Sequence, residues 1–93
     1  MLVGTLLVAY FLPACRSLKE RRSVVNSLKE RVRSRCNGSV AEVDSEDLWQ
    51  RASLAVAVVG DDGAHISQQL DAAMRILESD PRAQVLEVER EIR

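Results

Sequence analysis

The stretch Leu2-Val3-Gly4-Thr5-Leu6-Leu7-Val8-Ala9-Tyr10-Phe11-Leu12 is apolar on both of its alternating faces and is halted by Pro13. That pattern predicts a strand in the middle of a sheet. Ala52 to Val59 is of the same kind and ends at Gly60-Asp61-Asp62-Gly63, predicting a second central strand. Between them, Ser17-Leu18-Lys19-Glu20 has the form of a capping box. Leu18, Val25, Leu28 and Val32 then recur at helical spacing up to Asn37-Gly38, which predicts a helix over 17–36. Ser39 to Asp44 sets Val40, Glu42 and Asp44 against Ala41 and Val43, as in an edge strand with one wet face. Ile66, Leu70, Ala73, Met74 and Leu77 mark a second helix, capped by Asp61 or Asp62 and closed at Asp80-Pro81. Gln84 to Ile92 alternates Leu86, Val88 and Ile92 against Glu87, Glu89 and Glu91, a second edge strand.

Strands one and three therefore read as central and strands two and four as edges. This predicts an α+β, ferredoxin-like β-α-β-β-α-β sandwich: a four-stranded antiparallel sheet of order 4-1-3-2 with both helices on one face. A chain of 93 residues suits a single domain over 1–93, and with only 3% aromatic residues its core must be aliphatic. Cys15 and Cys36 flank the first helix, whose ends lie roughly 30 Å apart, far beyond disulfide reach. Two unpaired cysteines fit a reducing cytoplasmic setting. Leu12-Pro13-Ala14-Cys15 loosely imitates a lipoprotein cleavage site. No Lys or Arg precedes Arg16, however, and the apolar run is shorter than the ~20 residues a bilayer span needs, so no membrane partner is expected.

Ser17-Leu18-Lys19, Arg22, Ser27-Leu28, Asn37, Ser39-Val40-Ala41-Glu42-Val43-Asp44 and Asp47-Leu48-Trp49-Gln50-Arg51-Ala52, with the closing Glu87-Val88-Glu89, resemble the YlxP-like family of small bacterial proteins along nearly the whole chain. The chain departs from that pattern at Arg21, where a lysine is usual, at Cys36, where an aromatic is usual, and at Gly38, where a β-branched residue is usual. These departures are expected to loosen packing at the helix end. The resemblance implies a ferredoxin-like fold in a largely uncharacterised family. It also implies genes that often lie beside those for translation initiation and ribosome-maturation factors, an association that raises an RNA or ribosomal particle as partner.

Charge is unevenly placed. Arg16 to Cys36 holds eight basic residues (Arg16, Lys19, Arg21, Arg22, Lys29, Arg31, Arg33, Arg35) and two acids (Glu20, Glu30), or +6; the rest holds five basic residues and twelve acids, or −7. At 100° per residue, Lys19, Arg22, Lys29 and Arg33 form one stripe beside the apolar face, and Arg31 and Arg35 fall on its other flank. Such a row can follow a phosphate backbone, with Arg31 and Arg35 in support. The plainer reading is a solvated helix face offsetting an acidic sheet. Base stacking across the sheet is disfavoured, because Glu42, Asp44, Glu87, Glu89 and Glu91 are expected on its outer edges. An apolar stripe between those acids would instead suit a homodimer.

Leu48-Trp49-Gln50-Arg51 holds the sole tryptophan. Trp49, Gln50 and Arg51 either offer a partner a stacking or anchoring platform, or Trp49 packs beneath its loop. Asp44, Glu46 and Asp47 could meet a Mg²⁺ but more simply stay solvated. His65 is expected on the surface near the start of the second helix, without a Ser or Cys nucleophile in any recognised motif. Neither a glycine-rich phosphate loop nor H-E-x-x-H is present. The expectation is a cytoplasmic binding protein, not an enzyme, without metal or cofactor.

Overall fold

The computed structural model describes residues 1–43 and 48–93. The elements are β1 (Leu2–Phe11), α1 (Leu18–Arg35), β2 (Ser39–Val43), β3 (Arg51–Gly60), α2 (Gly63–Leu77) and β4 (Gln84–Ile92). The strands form one antiparallel sheet ordered β2-β3-β1-β4, with the two long apolar strands in its middle. The ferredoxin-like arrangement expected from the patterning is therefore present.

Both helices cover the same face. Leu6, Val8 and Tyr10 of β1 and Leu54, Val56 and Val58 of β3 are buried with Val25, Leu28 and Val32 of α1 and Ile66, Leu70 and Leu77 of α2. α1 lies over β2 and β3, and α2 over β1 and β3. Gly4 lets α2 approach β1, since a Cβ there would run into Ile66 Cγ2 and stand 3.1 Å from Leu70 Cδ1. The buried Tyr10 hydroxyl donates to the Leu77 carbonyl at 2.6 Å, and burial pushes its pKa well above the ordinary phenol value.

The helix ends differ from expectation in detail. Ser17 caps α1 by accepting from the Glu20 amide at 3.1 Å. The Glu20 carboxylate accepts from the Arg16 amide at 2.7 Å, so the reciprocal bond closes one residue before the cap. Asp62 caps α2 by accepting from the Ala64 amide at 2.9 Å. α1 does not end in a glycine turn, because its C-cap Cys36 is extended. Gly38 instead permits close approach to β3, where a Cβ would lie 2.7 Å from the Ala57 carbonyl oxygen. The expected loosening at this end is thus corrected: Cys36 is buried and Gly38 is tightly opposed.

β4 carries a second correction. A register shift between Ala9 and Tyr10 pairs Ala9 with Glu87 and Tyr10 with Val85, leaving Leu86 as the extra residue. Leu86 therefore does not share the face of Val88. It borders a cavity with Ala9, Arg51 and Ser53 on the side away from the helices.

Candidate nucleic-acid interface

Of the basic row on α1, Lys19, Arg22 and Arg33 are exposed and Lys29 is half-buried. Lys19, Arg22 and Lys29 have no carboxylate partner among the described residues. Arg33 donates to the Val40 carbonyl at 3.2 Å, which places the row beside the edge strand β2. From Lys19 to Arg33 the row runs about 21 Å at 1.5 Å per residue. Beneath its N-terminal part, Arg21 is buried. Its Nε donates to the Arg51 carbonyl at 2.7 Å and its terminal nitrogen meets Glu42 Oε1 at 2.8 Å.

The other flank is different. Arg31 donates to the Asp80 carboxylate at 2.8 Å, and Arg82 grips the same carboxylate from its backbone amide, Nε and terminal nitrogen. Asp80 is buried, and these bonds, Arg82's first, hold its pKa down at about 2. Arg31 is thus a structural cation and is withdrawn from the expected phosphate-contacting set. Arg35 is exposed and borders, with Arg31, Ser34, Arg75 and Ser79, a groove of about 460 Å³ between the helices. Arg35 and Arg75 lie in the last turns of α1 and α2, where a positive charge offsets the negative end of each helix.

The uncovered sheet face reads as rungs across the strands. They run Val59-Val3 at one end, then Ser39-Ala57-Thr5-Glu91, Ala41-Ala55-Leu7-Glu89, Val43-Ser53-Ala9-Glu87 and, at the other end, Arg51-Phe11-Gln84. Its carboxylates stand on β4. The expected acid Glu42 is not among them, because its register places it on the helix side with Arg21. Asp44, and with it the Asp44, Glu46 and Asp47 metal reading, lies outside the described residues. Among the described residues, no group of three or more His, Cys, Asp or Glu could hold a metal ion.

Trp49 does not pack beneath its loop; it is 50% exposed, as is Leu48. Arg51 sits with its guanidinium 5.6 Å from the centroid of the Phe11 ring, a cation–π pair. Two shallow cavities of about 360 and 340 Å³ flank Arg51; Leu48 borders both, and Trp49, Gln50 and Phe11 border the second. Gln50 anchors the corner, its side-chain amide donating to the Pro13 carbonyl at 3.4 Å. Sequence reasoning missed Phe11 as a partner of Arg51, since only register brings the two side by side. His65 is exposed near the start of α2.

The family described as "Protein of unknown function (DUF503)" matches residues 3–90. "Uncharacterized protein YlxP" of Bacillus subtilis (strain 168) is 33% identical over 76 residues, covering 82% of this chain and 77% of that one. The "De novo designed protein Foldit4" superposes with a TM-score of 0.59 at 16% identity, over 100% of this chain and 97% of the other, a likeness of fold alone. No described helix is long and apolar enough to cross a membrane.

Proposed function

The chain belongs to the DUF503 family, and from that premise we propose that it is an RNA-associated or ribosome-associated binding protein that meets the phosphate backbone with α1. One observation carries this reading: Lys19, Arg22 and Lys29 lie in one row beside β2, and no described carboxylate neutralises them. Cations used for folding are anchored, as Arg21 is on Glu42 and Arg31 on Asp80. Lys19, Arg22 and Lys29 are left to a polyanion, and Arg33 keeps donors beyond the one spent on Val40.

The test is filter binding to ribosomal RNA and to small ribosomal subunits across a salt series. Affinity should fall linearly on a log–log plot. Arg22→Glu with Lys29→Glu should weaken binding and reduce the slope by about 1.4 to 1.8, the equivalent of two phosphate contacts. Arg31→Ala should leave the slope unchanged. Absent or salt-independent binding refutes the reading.

A second reading, homodimerisation through the uncovered sheet face, is favoured by the rungs Ala41-Ala55-Leu7 and Val43-Ser53-Ala9, whose small and apolar side chains no helix covers. A monomeric mass by light scattering at high concentration removes it.

A further inference from the structure

The end of the sheet where β1 finishes and β3 begins differs from the rest of its open face. The three middle rungs close on a glutamate of β4, and the Val59-Val3 rung at the far end meets Arg93; the Arg51-Phe11-Gln84 rung closes on an uncharged amide. On this rung the Arg51 guanidinium is held against the Phe11 ring. Beside it Trp49 and Leu48 stand half-exposed around a cavity of about 340 Å³. An aromatic ring, an indole and a flat guanidinium around one small cavity offer faces to a planar π system, and a neighbouring amide can bond the edge of one.

We propose that this corner stacks one unpaired base of a single-stranded RNA whose backbone lies along α1, an inference that rests on the phosphate-binding role of that helix. The same strand end joins both parts. The Arg51 carbonyl accepts from Arg21 at 2.7 Å, fixing the start of β3 under the N-terminal part of α1, where Lys19 and Arg22 begin the basic row. A strand following that row reaches the corner round the Leu48 to Gln50 turn. Charge selects what enters: Glu87 lies on the next rung, so a phosphate is disfavoured and an uncharged base is not. A duplex cannot offer its base faces, so the site takes single strands.

Trp49 is the only tryptophan, and its fluorescence reports on the site directly. The probe is a short single-stranded RNA, compared with the same strand annealed to its complement. The single strand should quench Trp49 and bind more tightly than the duplex. Trp49→Ala should weaken single-strand binding about tenfold while leaving duplex affinity and the salt slope unchanged, and Trp49→Phe should restore most of the loss. Equal affinity for the two forms, an unquenched Trp49 or an inert Trp49→Ala overturns the platform. In each of these cases the Arg22→Glu with Lys29→Glu salt slope still decides the helix reading separately. Absence of binding to either RNA overturns both.

Discussion

Arg31 and Asp80, 49 residues apart in the chain, meet at 2.8 Å and tie α1 to the segment that follows α2. Asp80 is buried while its two arginines are nearly half-exposed. Removing the carboxylate takes the shared hub from both arginines, whereas removing one arginine leaves Asp80 with the other. Asp80→Ala is therefore expected to destabilise the fold by about 2 to 3 kcal/mol. The melting temperature should fall by roughly 10 to 20 °C. Arg31→Ala should cost clearly less. Calorimetry or a thermal scan by circular dichroism checks both.

The same site predicts an acid limb. The Asp80 carboxyl has its pKa lowered from 3.8 to about 2 by the bonds and charges of Arg82 and Arg31. The unfolded chain therefore takes up the proton first as pH falls. The stabilisation is complete above about pH 4 and is lost as pH falls toward 2, an effect of about 2 kcal/mol. In urea titrations, wild type and Asp80→Asn should differ at pH 6 and converge near pH 2. A constant difference across that range refutes the assignment.

Arg21 and Glu42 form the second anchored pair, with the arginine side chain almost fully buried. Glu42→Ala strands that guanidinium and should cost about 3 kcal/mol, more than Arg21→Met, which removes the charge and keeps the volume. The double variant Arg21→Met with Glu42→Leu should recover much of the loss. A double-mutant cycle in denaturant, completed by the single variant Glu42→Leu, measures the coupling, and simple additivity would show that the pair contributes nothing of its own.

Cys15 and Cys36 are free and buried, and desolvation raises the pKa of both thiols. In the native protein both should react with a thiol reagent only as fast as the fold opens, and within seconds in denaturant. Rapid native reaction would show a local opening at the start or end of α1.

Element order and sheet order were legible in the residues because strands flanked by neighbours on both edges write themselves as unbroken apolar runs, as in Leu2 to Leu12 and Ala52 to Val59, while the edge strands alternate. The cationic row was equally legible, since Lys19, Arg22, Lys29 and Arg33 follow from helical period alone. The departures lie where alternation was carried past its limits. Glu42 looks like a wet-face residue until Arg21 is seen to reach it from the helix above. Leu86 looks inward until one extra residue in β4 breaks the phase.

By itself, then, the sequence determined the fold, its single aliphatic core and the concentration of positive charge on α1, because periodicity and composition are local properties of a chain. Only the tertiary structure decided which cations are free. Arg31 and Arg35 share one flank in the sequence, and they differ because Asp80 is brought to Arg31 from 49 residues away, just as Glu42 is brought to Arg21 from 21. The Arg51–Phe11 pair and the half-exposed Trp49 beside it belong to the same class, set by antiparallel register between strands 40 residues apart in sequence.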